Sequence, residues 1–119
     1  VRIDGKVSSK ADFFKNPTEY RSDFMKFAKV SDVFIAGHFY DPKAPYLFTR
    51  DDAKLSQFKI RTVADISCDI DGPVACTIQA SSIHEPIYGY NPNTESLDNY
   101  NKKDNITVMA VDNLPCELP

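Results

Sequence analysis

Glycine and cysteine are scarce in this chain of 119 residues. Its four glycines form neither a G-x-G-x-x-G turn nor a P-loop, so the sequence carries no phosphate-binding glycine turn of its own. Three cysteines without a C-x-x-C pair argue against a disulfide framework or a zinc knuckle. The simplest interpretation is a reduced, cytoplasmic protein. The two histidines lie in no metal-ligand spacing, and we therefore predict no metal site.

Excess positive charge and long apolar runs are also lacking. The net charge is −3 and the pI about 5.3, whereas nucleic acids and anionic membranes attract a basic surface. The longest apolar run, VFIAG, is far too short to span a bilayer, and no signal-peptide core begins the chain. We therefore predict neither a nucleic-acid nor a membrane partner. Hydrophobic residues at 42% and aromatic residues at 12% are enough for a folded core.

Two segments carry helix signals. Asn16 suits an N-cap and Pro17 the first helical position, and apolar residues then recur at helical spacing, which predicts a helix over 16–29. Thr49 precedes the second segment and has Asp52 three residues later, as in a capping box. The second segment is therefore predicted to be a short helix.

Three segments predict strands: VFIA at 33–36 and the segment 59–67 as buried strands, and ITVMAV at 106–111 as the last strand. A continuous apolar run such as VFIA is typical of a strand buried on both faces of a parallel sheet. Segments 72–81 and 85–92 favour extended structure near the sheet edge, and the polar segment 91–105 favours a solvated loop. The alternation of helix and strand predicts an α/β fold with parallel strands.

Carboxylates crowd at the end of the second predicted strand, in the stretch ADISCDIDG. Asp65, Asp69 and Asp71 lie there, and Asp112 and Asn113 directly follow the last strand. In open α/β sheets, ligands bind outside the carboxyl ends of the strands. These side chains would suit a ligand rich in donors, such as ribose hydroxyls or a substrate ammonium. The alternative is that Asp and Gly after a strand simply make a turn.

The remaining reactive residue types give weaker signals. His38 and His84 are expected to be surface or loop histidines. Cys68 lies between two acids, and negative charge raises a thiol pKa, so we expect it to be unreactive.

Three motifs together resemble the saccharopine dehydrogenase and lysine-ketoglutarate reductase group, within the wider alanine dehydrogenase and transhydrogenase family. They are FTRDDA, VADISCDIDGPVACTIQASSIHEPIYGYNP and VMAVDNLPCELP, and the likeness is good over residues 32–119 and looser before them. The resemblance implies an NAD- or NADP-dependent oxidoreductase that acts on amino acids. It also implies a partial Rossmann-like parallel sheet with flanking helices.

The resemblance assigns roles to five residues. Asp69 matches the acid that faces the nicotinamide and substrate, which implies a catalytic role. Asp65, Asp112, Asn113 and Leu114 match positions near the cofactor. Two departures from the family pattern, a single glycine in DIDGPVACT and a long polar insert at 91–105, leave the substrate open.

On this basis, residues 1–119 are expected to be a single fragment of a dinucleotide-binding domain in a longer enzyme. The glycine-rich turn and the catalytic lysine and histidine of the group would then lie outside the fragment. We expect the fragment to be inactive alone, and its uncovered strand edges favour self-association. Two alternatives stay open: an alanine dehydrogenase-like enzyme, and a non-catalytic binding or regulatory module that kept the fold.

Overall fold

Short helices and a five-stranded sheet make up the part of the chain described by the computed structural model, residues 1–112. Helices α1, α2 and α3 span Lys10–Lys15, Met25–Ala28 and Arg50–Lys54, and a 3-10 turn spans Pro17–Glu19. Strands β1 to β5 span Val33–Ala36, Thr62–Asp65, Ile87–Asn91, Ser96–Asp98 and Ile106–Met109. None of the described helices is both long and apolar enough to cross a membrane.

The sheet has a parallel half and an antiparallel half. Its strand order is β1-β2-β5-β3-β4. Strands β1, β2 and β5 run parallel, whereas β3 pairs antiparallel with both β5 and β4. The α/β prediction is confirmed, as are the three predicted strands. Because the described sheet is mixed, the Rossmann-like topology stays a prediction.

One face of the sheet is buried beneath an aromatic cluster. Val63 and Val108, in the central strands, are fully buried on this face. The ring centroid of Phe24 lies 4.8 Å from that of Phe34 in β1, and the ring centroids of Phe48 and Phe58 lie 4.9 Å apart. These contacts hold α2 and the segments flanking α3 against the sheet.

The opposite face is open at β1. Val33 and Ile35 are 57% and 65% exposed. The expectation that β1 is buried on both faces is therefore wrong for the described chain, where β1 alternates between the two environments. The apolar run did predict the strand, but nothing within residues 1–112 covers its second face. Exposed apolar side chains of this kind favour self-association, which stays a prediction.

The predicted helix over 16–29 is wrong. Its first part is the 3-10 turn, and only Met25–Ala28 is α-helical. The chain between them is extended because the N-terminus pairs with it: Tyr20 forms a β-bridge with Arg2, and the amide of Arg21 donates to the carbonyl of Val1 at 2.8 Å. Asn16 makes no side-chain capping bond. Tertiary pairing outweighs the local helix signals here.

The helix after Thr49 is confirmed, together with its capping box. Thr49 accepts from the amide of Asp52, and the Asp52 carboxylate accepts from the amide of Thr49. Helix α1 was not predicted, although Ser9 caps it by accepting from the amide of Asp12.

Two further segments differ from expectation. Segment 72–81 consists of turns with isolated bridges. Part of its backbone is satisfied by a side chain, since the hydroxyl of Tyr88 accepts from the amide of Ile78 and donates to the carbonyl of Cys76. Segment 91–105 is not a continuous loop, since β4 lies within it and forms a hairpin with β3. The extended segment 85–92 is confirmed as β3, one strand in from the sheet edge.

Candidate active site at the carboxyl edge of the parallel strands

The carboxyl ends of β1, β2 and β5 lie side by side, as parallel pairing requires. The loop after β2 connects them. The amide of Ile66 donates to the carbonyl of Ala36 at 2.8 Å, and the thiol of Cys68 donates to the carbonyl of Ala110 at 3.2 Å. The stretch ADISCDIDG therefore lies between the ends of the two neighbouring strands.

Asp65 is fully buried at the end of β2. Its Oδ1 accepts from the hydroxyl of Ser67 at 2.6 Å and the amide of Cys68 at 3.1 Å, and its Oδ2 accepts from the hydroxyl of Thr77 at 2.7 Å. Hydrogen bonds of this kind stabilise a buried carboxylate that has no cationic partner. Asp65 thus fixes both the start of the loop and the segment around Thr77.

Asp69 lies farther along the same loop and is half-buried. No hydrogen bond to its carboxylate is found among residues 1–112. The turn that carries it is tight, since the amide of Gly72 donates to the carbonyl of Asp69 at 3.0 Å. A Cβ on residue 72 would lie 2.8 Å from both Cβ and O of Asp69, so glycine is needed for this turn. The side chain of Asp69 is accordingly available to a ligand.

Asp71 adopts a turn conformation with φ +53°. Its carboxylate forms a 2.7 Å ion pair with Arg50 of α3, and both side chains are substantially exposed. The interpretation of Asp71 as a turn residue is confirmed. The ion pair with Arg50 indicates that Asp71 attaches the loop to α3 rather than binding a ligand.

The edge is electrically negative. Burial raises the pKa of the Cys68 thiol, and the nearby carboxylates of Asp112, Asp65 and Asp69 raise it further. Burial likewise raises the pKa of Tyr40, with a smaller effect from Tyr46 and Asp69. The predicted rise in the thiol pKa of Cys68 is confirmed. A ligand at this edge would therefore bring hydrogen-bond donors or positive charge.

The remaining predicted residues follow β5. Asp112 is exposed at the end of the described chain. Asn113 and Leu114 lie outside the described residues. The structure therefore brings together Asp65, Asp69 and Asp112 at one edge, with Asp65 buried and the other two accessible.

Sequence reasoning missed two participants. Thr77 completes the hydrogen bonding of Asp65, and Tyr40, from the loop after β1, lies close enough to Asp69 to be influenced by its charge. No local signal marks either residue, because both contacts join distant parts of the chain.

The chemistry available at this edge is that of carboxylates. Asp69 can bind a cation, accept a hydrogen bond or take up a proton, while Asp65 holds the loop. Within residues 1–112, no group of three or more His, Cys, Asp or Glu side chains is arranged to hold a metal ion.

Comparison with known proteins gives distant similarity along the whole chain. Alpha-aminoadipic semialdehyde synthase of Arabidopsis thaliana is 28% identical over 117 residues, which cover 95% of this chain and 11% of that protein. The mitochondrial alpha-aminoadipic semialdehyde synthases of Mus musculus and Bos taurus are 23% and 24% identical, over all of this chain and 15% of each protein. The chain thus spans less than a sixth of these relatives. No family model matches it.

Proposed function

We propose that this chain is part of an NAD- or NADP-dependent oxidoreductase acting on amino acids, similar to saccharopine dehydrogenase and lysine-ketoglutarate reductase. The observation that carries the proposal is the similarity to alpha-aminoadipic semialdehyde synthases over 95–100% of the chain. It is supported by the accessible Asp69 at the carboxyl edge of three parallel strands, where ligands of α/β proteins bind.

The chemistry of the edge fits only one end of a nicotinamide cofactor. A pyrophosphate needs backbone amides at a glycine turn, and the acidic edge would repel it. Ribose hydroxyls and the nicotinamide amide are hydrogen-bond donors, and carboxylates accept from them. We propose that Asp112, Asn113 and Leu114 lie against this end, and that Asp65 serves the site by holding the loop. When bound, the nicotinamide would supply hydride transfer.

Asp69 has the catalytic role in this proposal. Its carboxylate would hold the substrate ammonium or orient the nicotinamide beside it. Loss of hydride from the carbon that bears nitrogen leaves positive charge on the substrate, and a fixed carboxylate stabilises such charge. The tight turn at Gly72 limits the freedom of Asp69, so little reorganisation is needed during the reaction.

Assays of the longer polypeptide that would contain this chain test the proposal. We expect NADH or NADPH oxidation with lysine plus 2-oxoglutarate, which would distinguish the enzyme from one that uses pyruvate plus ammonia. Asp69→Asn should reduce turnover without loss of fold. Nucleotide binding without turnover of either substrate pair would instead support the non-catalytic module. Absence of both binding and turnover would contradict the proposal.

A further inference from the structure

A second concave site lies beside the loop that follows β1. It is a cavity of about 570 Å³ between α1 and segment 37–47. This volume is within the range of about 300–1,000 Å³ that is typical of small-molecule sites. None of Asp65, Asp69 and Asp112 lines it, but Tyr40 does, so the cavity adjoins the acidic edge without including its carboxylates.

The walls of the cavity are largely apolar. They include the side chains of Phe13, Phe14, Pro17, Pro45, Leu47 and Pro73. Phe13 is held in place by an edge-on contact with Tyr20, at 5.0 Å between ring centroids. Phe14 and Phe39 also border the cavity and are 56% and 85% exposed. A flat apolar group would cover these rings and pack well between them, because aromatic rings favour offset or edge-on contact with one another.

One positive charge lies at the wall. The ammonium of Lys10 lies over the ring of Phe14, 5.8 Å from its centroid. No carboxylate among the described residues is within ion-pair distance of it. Asp41 also lines the cavity; its carboxylate accepts from the backbone amide of Lys43 at 2.9 Å, which stabilises its own turn but keeps its negative charge. The ammonium of Lys10 is the charge that an anionic ligand could neutralise.

His38 adds an unsatisfied polar group to the same wall. Its Nε2 is buried and has no hydrogen-bond partner within the described protein. Buried polar atoms of folded proteins nearly always have partners, so an isolated one calls for an explanation. His38 lines the cavity, so a polar group of a ligand bound there could serve as the missing partner of this nitrogen.

We propose that this cavity binds an aromatic monocarboxylate, with its ring between the phenylalanine and proline side chains and its carboxylate at Lys10. The proposal does not depend on nucleotide binding.

Titration of the 119-residue chain with 3-phenylpropionate tests the proposal by ¹H–¹⁵N NMR. We expect saturable shifts of the amides of Lys10, Phe13, His38 and Leu47. The neutral analogue 3-phenylpropanol should bind more weakly and 3-phenylpropylamine most weakly, since only the acid pairs with Lys10. Equal affinity for the three compounds, tighter binding of the amine, or no saturable shift at these residues would overturn the proposal.

Two lysine variants locate the charge. Lys10→Gln should weaken acid binding about two- to fivefold, as expected for a partly solvated ion pair, and should abolish the preference for acid over alcohol. Lys15→Gln is the matched control, since Lys15 is exposed on the same helix and does not line the cavity.

Ala44→Phe should fill the cavity and block all three compounds. Asp69→Asn, which should impair turnover, should not weaken acid binding, and this separates the proposal from the catalytic one. Retained acid preference in Lys10→Gln would contradict the assignment.

Discussion

The hydroxyl of Thr77 donates a 2.7 Å hydrogen bond to the carboxylate of Asp65, and neither residue is exposed to solvent. This contact joins the end of β2 to the turn segment 72–81. Because the carboxylate has no cationic partner in the described structure, its hydrogen bonds are what compensate for its lost hydration.

Thr77→Val should therefore destabilise the protein by about 1.5–3 kcal/mol, the usual cost of losing a hydrogen bond to a buried charged group. The measurement is the free energy of unfolding from urea titration. Thr62→Val is the matched control, since Thr62 is exposed at the start of β2, the strand that ends at Asp65, and should change stability by less than about 0.5 kcal/mol. Similar losses in both variants would mean that the Thr77 contact contributes little.

Asp69 and Asp71 should differ in function. In the full-length polypeptide, Asp69→Ala should lower kcat/KM about ten- to hundredfold, because a charge-assisted contact is lost. Asp71→Gly is a better comparison than Asp71→Ala, since residue 71 has φ +53° and glycine adopts that conformation without strain. It removes only the exposed ion pair with Arg50, so kcat/KM should stay close to that of the wild type. Steady-state kinetics would reveal equal losses if both acids merely shape the loop.

Gly89→Ala should be strongly destabilising. A Cβ at this position in β3 would lie 2.4 Å from the carbonyl oxygen of Asp98 and 2.5 Å from the amide nitrogen of Tyr100. Both are backbone atoms, so the hairpin would have to shift, at a cost of about 1–3 kcal/mol. Gly37→Ala is the control, because no heavy atom beyond its two chain neighbours lies within 4 Å of its added Cβ. Thermal unfolding should separate the two variants, and equal melting temperatures would contradict the close approach.

Tyr90 and Tyr88 should respond oppositely to loss of the hydroxyl at neutral pH. The Tyr90 hydroxyl is buried and has no hydrogen-bond partner among residues 1–112, so Tyr90→Phe should be neutral or stabilise the protein by up to about 1 kcal/mol. Tyr88→Phe should destabilise it by about 1–2 kcal/mol, because the amide of Ile78 and the carbonyl of Cys76 lose their partner. Urea titration of both variants would test this, and a loss in Tyr90→Phe would indicate a partner for that hydroxyl.

Alkaline pH should destabilise the fold through the same two side chains. Burial raises the pKa of Tyr88 and of Tyr90 to about 12, whereas a tyrosine in the unfolded chain titrates near pH 10. The unfolded state therefore loses protons first. The contribution of these tyrosines to stability is complete below pH 10 and falls as the pH rises from about 10 to 12. Stability measured across this range should fall less steeply in Tyr90→Phe, and an unchanged slope would count against the shifted pKa.

Local signals in the sequence predicted the parts of the fold that local forces determine. The capping box of Thr49 and Asp52 joins residues three apart. The strands were predictable because the apolar side chains that favour them lie within the strand segments themselves. The prediction of a helix over 16–29 was wrong because Tyr20 pairs with Arg2, a contact between distant residues that no local signal reveals. The acidic edge was predicted from strand ends, but the burial of Asp65 was not, since its partner Thr77 is twelve residues away.

The pairing pattern of the sheet also sets an order of assembly. Gly89 pairs with Asp98 across a short hairpin, whereas Val33 pairs with Thr62 and Thr62 with Thr107. Contacts between distant residues form late because long loops must close first. We therefore expect the β3–β4 hairpin to form early and the three parallel strands to join last. During synthesis, the acidic edge would then come into existence only after β5 has left the ribosome.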